Sequence, residues 1–225
     1  MDTIIFLTRI LMPALWQGLI VTLELVLLTA PFGLLLGIGI ALGRQYGGRG
    51  LSSVCAGYIV FFKGCPLLLL LFMLYFGLPT IGITLPAFTA SVIGFILCNA
   101  AYNSEYIRGA IKSIKDGQMT AAQALGMTKV QAIETIILPQ ALRRAIPGLS
   151  NEFIYLIKYS SLAYMITVVE LSGAAKLVAT KYFMFNESFL AVGIVYLALV
   201  TVTTYAVDRL EKRIAIPGMV QTSSG

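Results

Sequence analysis

The sequence predicts an all-α integral membrane protein with five spanning helices in one domain, residues 1–225. Three observations carry this. Of the 225 residues, 58% are hydrophobic and only 12% charged, about half the charge of an ordinary soluble domain, which is roughly 25%. Five apolar stretches are each long enough to cross a hydrocarbon layer of about 30 Å. The one long segment that is neither apolar span, short turn nor charged tail is Gly117–Pro139, GQMTAAQALGMTKVQAIETIILP. Its caps and glycine mark two short helices outside the membrane. Asp2 precedes any basic residue, and no small-residue cleavage site follows a short apolar core, so a secretory signal is not expected. The chain has no histidine, which removes imidazole ligands and histidine bases and argues against triad and most metal chemistry. Cys55, Cys65 and Cys98 stand in apolar surroundings without metal-type spacing and read as packing residues. The net charge of +6 suits membrane topology better than nucleic acid.

Residues 1–14 are apolar with Arg9 and Pro13, an interfacial helix or a lead-in. The first span covers about 15–42, roughly 42 Å of helix. Gly33/Gly37 and Gly39/Gly43 are small-xxx-small pairs that let another helix approach closely. Glu24 lies in this span, either functional or paired near a helix end. After the RQYGGRG turn comes the second span, about 53–76, interrupted by FFKGCP. A broken helix at membrane depth is tolerated where it is buried in protein or lines a cavity. Lys63 there faces a substrate path or marks a kink in which it pairs with a carboxylate; both readings stand.

The third span, about 86–111, turns polar in its second half. Asn99, Tyr102 and Tyr106 share a face, and Glu105 is placed to pair with Arg108 one turn on. The fourth span, about 145–168, carries Asn151, Tyr155 and Lys158 at i, i+4, i+7, with Ser160 and Ser161 following. Such a polar stripe is expected to face the bundle interior or a water-filled cavity. Residues 169–188 are too polar for a simple span and are expected at the surface with one short helix. The fifth span, about 189–207, ends in the charged DRLEKR tail.

In Gly117–Pro139, Thr120 and Gln123 stand in capping-box spacing, Gly126 supplies a left-handed stop, and Thr128 and Gln131 repeat the box. Pro139 is expected to close the second helix. Val130, Ile133 and Ile137 fall on one face, while Lys129, Gln131 and Glu134 point elsewhere. This describes either an ordinary amphipathic loop helix or a docking element for another protein. With five spans, one side collects Arg44, Arg49, Arg108, Lys112, Lys115, Lys129, Arg143, Arg144, Arg209, Lys212 and Arg213, and the other only Arg9, Lys176 and Lys181. The positive-inside rule therefore puts Gly117–Pro139 and the C-terminus in the cytoplasm and the N-terminus outside.

These residues resemble the membrane subunits of type I ABC importers, specifically the polar amino acid permeases. Their EAA loop is matched by Thr120-Ala121-Ala122, Gly126 and Ile137-Leu138-Pro139, followed by Gln140-Ala141-Leu142-Arg143. FFKGCPLLLLLFMLYFGLP (61–79), AAYNSEYIRGAI (100–111), NEFIYLIKYSSL (151–162) and VVELSG (168–173) are also similar to family runs, so the likeness extends from about 15 to 210. The resemblance implies a type I importer fold in the cytoplasmic (inner) membrane and a pathway for a polar amino acid formed with a second, identical or different, permease subunit. It further implies docking on a cytoplasmic ATPase dimer through Gly117, Thr120, Ala121, Ala122, Gly126, Thr128, Lys129, Val130, Ile133 and Pro139. An extracellular or periplasmic amino acid-binding protein would deliver the substrate.

The chain has no G-x-x-x-x-G-K-[ST] loop. It is therefore expected to be no enzyme and to hold no cofactor of its own, ATP and Mg belonging to the partner. The substrate path is expected at Lys63, Asn99, Tyr102, Glu105, Asn151, Lys158, Ser160 and Ser161. Thr120 stands where the family has Glu, Lys63-Gly64-Cys65-Pro66 where it often has Arg-Gly-Thr-Pro, and Lys158-Tyr159-Ser160-Ser161 where it often has Lys-Asp-Thr-Ser. The last change is expected to move preference toward less cationic amino acids. The alternatives are a secondary transporter or channel without an ATPase, and a membrane anchor that moves nothing. The first would need an inverted repeat and a relay of buried carboxylates, and the second would not need the polar residues of spans three and four.

Overall fold

The computed structural model describes residues 2–214, and every regular element among them is helical. The first helix, α1, runs unbroken from Thr3 to Tyr46. The expected lead-in and first span are thus one helix, started by the Asp2 carboxylate accepting the Ile4 N–H at 3.1 Å. After α1 come α2 (Arg49–Gly64) and α3 (Leu67–Ile81), then α4 (Ala87–Lys112) and α5 (Gly117–Ala124). The chain then forms α6 (Lys129–Ile166), α7 (Leu171–Tyr182) and α8 (Phe185–Ile214).

Five prolines sit inside or at the end of continuing helix: Pro31 and Pro147 lie in unbroken α-helix, and the other three each follow a π-helical stretch by two residues. Phe6–Leu11 precedes Pro13, Met73–Gly77 precedes Pro79, and Ile133–Ile137 precedes Pro139. A proline in an α-helix lacks its N–H and drives its ring into the carbonyl four residues back. A π turn bonds i to i+5 and widens the backbone at that carbonyl, so the helix continues. Pro139 therefore does not close the second helix of the 117–139 stretch, because α6 passes straight through it into the bundle.

α4 is the centre of the molecule, packed between α1, α2, α3 and α6, with its longest crossing on α1. Gly33 and Gly37 make that crossing possible. A Cβ on Gly33 would collide with the Asn99 side chain, and one on Gly37 would lie 2.8 Å from Asn103 Cβ. The second glycine pair is not used in this way: Gly39 has nothing within 4 Å, and Gly43 lies against Cys55 of α2. Because α4 is shielded by its neighbours, its second half can be polar without meeting lipid. Leu25, Leu71, Phe95, Leu156 and Ile166 fill the core on one side of it, and Ala41, Ile107, Ile111, Ile137 and Ala141 fill the other.

The break at FFKGCP is sharper than a kink. α2 and α3 meet at 101° across Cys65-Pro66, so residues 53–76 are two helices and not one straight span. α6 and α7 meet at 49°. The segment 169–188 does form one short helix, but α7 is drawn into the bundle. The fully buried Glu170 caps it, accepting the N–H groups of Ser172 (2.9 Å) and Gly173 (2.8 Å) and the Tyr196 hydroxyl of α8 (2.9 Å). On the other side of α7, Leu171 N–H donates to Thr22 of α1 at 3.1 Å. α1 and α8 are each long and apolar enough to cross a membrane alone, and the two bent pairs are so when taken together. α8 buries only Ser188 and Val192, leaving an apolar face for lipid or another chain.

Candidate functional site

Between α3, α4 and α6 lies a cavity of about 400 Å³, lined by Leu67, Cys98, Tyr102, Tyr106, Glu152, Tyr155, Tyr159 and Leu162. Two helical faces supply nearly all of it. Cys98, Tyr102 and Tyr106 recur every four residues on α4, and Glu152, Tyr155 and Tyr159 stand at i, i+3, i+7 on α6, spacings that put each set on one side of its helix. Leu67 enters from the first turn after the α2–α3 break. That break places an apolar side chain in the cavity wall.

Glu152 is the carboxylate of this cavity and is 4% exposed. Its Oε1 accepts from Asn99 Nδ2 at 3.2 Å and from the Tyr159 hydroxyl at 3.3 Å. Asn99 Oδ1 in turn accepts from Asn103 Nδ2 at 2.7 Å. The Asn103 carbonyl oxygen is buried with no partner, so the chain of bonds has a free acceptor at its far end. A carboxylate held by two neutral donors and no cation keeps its capacity to accept from an incoming charged donor. Lys63 at the end of α2 stands near this region, its ammonium 5.1 Å from the centre of the Tyr102 ring, within cation–π range.

The expected path residues divide. Asn99, Tyr102 and Lys63 belong to the cavity or its edge. Glu105 faces away from it and forms an ion-pair triad with Arg44 of α1 (2.7 Å) and Arg108 one turn on (2.8 and 2.9 Å). The 105–108 pair is therefore as expected, and Arg44 is its unforeseen third member. Asn151 does not line the cavity: it is exposed on the outer side of α6, one residue from Glu152, which points inward. Lys158 lies over the Tyr155 ring at 5.0 Å and, with Ser161, borders a separate opening of about 510 Å³ toward α7 and α8. Ser160 and Ser161 give their hydroxyls to the carbonyls of Ile157 and Lys158, each at 2.8 Å. The stripe at 151, 155 and 158 thus faces out of the single chain, and only Tyr155 reaches the cavity.

The 117–139 stretch follows the C-terminal end of α4 and includes the first turns of α6. Gly126 has φ +86°, the left-handed stop. Thr128 and Gln131 form a reciprocal capping box, at 3.3 Å and 2.9 Å. The first box does not form, since Asp116 is the N-cap of α5 and Thr120 Oγ1 donates back to the Asp116 carbonyl at 3.3 Å. Thr120 thus lies in the second turn, beyond the free N–H groups a box would satisfy. Ala122, Ile133 and Ile137 turn inward and are buried. Val130 does not join Ile133 on the buried face: it is 61% exposed, and Leu125 is 82% exposed. Gly117, Thr120, Ala121 and Pro139 are exposed too, and Lys129 lies 5.6 Å from the Tyr46 ring. At the root, Arg144 Nη1 donates to the Ser113 carbonyl (2.6 Å) and hydroxyl (2.9 Å), tying α6 to the end of α4. The result is a capped apolar tip on a braced root. Among the described residues no group of three His, Cys, Asp or Glu is placed to hold a metal.

Residues 33–216 match the family model described as the inner membrane component of binding-protein-dependent transport systems. The chain is 39% identical over 208 residues to a probable amino-acid permease protein, YxeN, of Bacillus subtilis (strain 168), covering 91% of this chain and 93% of the relative. It is 42% identical over 197 residues to a probable amino-acid ABC transporter permease protein, PatM, of Vibrio harveyi, covering 86% and 88%. A crystal structure of an amino acid ABC transporter with histidines superposes with TM-score 0.86 at 31% identity, over 95% of this chain and 99% of that one.

Proposed function

Because this chain belongs to the binding-protein-dependent transport system inner membrane component family, as a non-enzymatic amino-acid permease subunit of a type I ABC importer, we propose that its cavity at Glu152 carries a polar, zwitterionic amino acid. The observation that carries this reading is the Glu152 cluster: one buried carboxylate, held only by neutral donors, in a cavity walled by tyrosines. An α-ammonium needs an acceptor of that kind, and Lys63 is the nearby donor for a carboxylate. Tyr159 stands where a family Asp is expected, so the cavity keeps a single carboxylate. With the α-ammonium on Glu152, a second cationic group on the substrate finds no second carboxylate.

In this reading five spans cross the inner membrane with the N-terminus outside. Two permease subunits enclose the path, and an external binding protein delivers the substrate. Gly117–Pro139 docks on the ATPase dimer, which binds ATP and Mg. The exposed Leu125 and Val130 would enter an apolar groove of the ATPase, and the Thr128 box with the Arg144–Ser113 tie would transmit its movement to α4 and α6.

The test is co-reconstitution of the chain with candidate ATPase and binding proteins, measuring uptake across an amino acid panel. The expected result is ATP-dependent uptake favouring neutral polar amino acids over Arg and Lys. ATP-independent uptake would transfer the assignment to a secondary carrier, and preference for Arg or Lys would overturn the single-carboxylate argument.

A further inference from the structure

At the root of the 117–139 stretch, the ends of α1 and α4 and the start of α5 enclose a second cavity, of about 230 Å³, which the proposed path does not use. Part of its lining is apolar, including the buried side chains of Ile114 and Ile137. Its rim carries Tyr46, Lys112, Lys115 and Asp116. Lys129 brings a third ammonium to the Tyr46 wall, so three cations face one carboxylate. None of the three is in an ion pair, since both salt bridges among the described residues are made by Glu105.

A cationic rim with a partly apolar lining, at the level where spanning helices end, fits a molecule that is anionic at one end and apolar at the other. Inorganic phosphate would satisfy the lysines and leave the apolar lining uncovered. We propose that this cavity holds the headgroup of an anionic phospholipid from the leaflet at the inner ends of α1 and α4. Its phosphate lies between Lys112 and Lys115, and its glycerol and first acyl carbons lie against Ile114 and Ile137. The lipid then bridges α1, α4 and α5 at the point where motion of the coupling stretch enters the bundle. The leaflet assignment rests on the reading that Gly117–Pro139 is cytoplasmic.

The test uses the assembled transporter in phosphatidylcholine vesicles with or without phosphatidylglycerol, extracted into detergent, with retained lipid measured by native mass spectrometry. Phosphatidylglycerol is expected to remain on the complex in preference to phosphatidylcholine. K112Q/K115Q should weaken its retention roughly thirty-fold, the effect of removing two lysines at a membrane surface. K212Q/R213Q, exposed at the end of α8 and not in the cavity lining, should leave it unchanged, and added inorganic phosphate should not displace it. Equal retention of both lipids, indifference to K112Q/K115Q, or displacement by inorganic phosphate each overturns the lipid site. This readout does not depend on orientation. Labelling of Q118C from the outer face would separately overturn the topology and, with it, the leaflet.

Discussion

Glu152 is held by an amide and a phenol and is itself almost fully buried. Replacing it with glutamine keeps its size and one carbonyl oxygen for those donors, so E152Q should fold and assemble. What it loses is the charge that receives an ammonium. Hydrogen bonds to a charged partner contribute about 1.5–3 kcal/mol, so apparent substrate affinity in reconstituted uptake should fall roughly ten- to hundred-fold. Uptake by E152Q with unchanged affinity would remove Glu152 from the path. Asn103 gives a sharper structural control: N103A deletes the donor to Asn99 while touching no cavity wall, and should cost stability of about 1–3 kcal/mol. The sequence did contain the signal for Glu152, since 152, 155 and 159 are as regular a helical stripe as 151, 155 and 158. The two stripes share Tyr155 and their centres differ by only about 65° of rotation at 3.6 residues per turn, and only the position of α4 decides which of them faces inward.

The coupling stretch shows the same division at the level of elements. Its local features were legible: Gly126 adopts the left-handed conformation, and Thr128 with Gln131 forms the box. Both depend on a few adjacent residues. Thr120 was misread because spacing alone does not show which turn a residue occupies, and Asp116 starts the helix one turn earlier. Pro139 was misread because the residue pattern does not show that Ile133–Ile137 widens into a π turn, which accommodates the ring and lets the helix continue. Gly126 has open space around it, so a substitution there acts through the backbone alone. G126V forces a β-branched residue to φ +86°, a strain of about 1–3 kcal/mol confined to the tip. The prediction is an intact membrane domain by thermal unfolding, with loss of ATPase co-purification and of ATP-driven uptake. Undiminished complex formation by G126V would argue that the tip does not dock.

On the scale of the whole molecule, the helical class and a close helix approach at Gly33 and Gly37 were legible from composition and short-range pattern, but that the partner is α4 was not. The course of the chain at Cys65-Pro66 was not: a proline after a glycine announces a break, but its 101° bend is set by how α3 packs on α4. The same packing hides the polar half of α4 from lipid, which is why hydropathy alone finds α1 and α8 more readily than the helix at the centre. Orientation therefore has to be argued from charge. Lys112, Lys115, Lys129, Arg143 and Arg144 gather around the 117–139 projection, while the α7 end, with the start of α1 packed on it, carries Arg9, Lys176 and Lys181. Because basic residues near short loops are retained on the cytoplasmic side, Gln118 and Asn186, both exposed, should lie on opposite faces. With an impermeant maleimide, N186C should label in intact spheroplasts and Q118C only after the membrane is opened. The parent chain serves as background, since Cys55 and Cys98 are buried and Cys65 is partly so. The reverse pattern would invert the molecule and place the projection where no ATPase could reach it, so this single pair of substitutions tests the premise on which the coupling role depends.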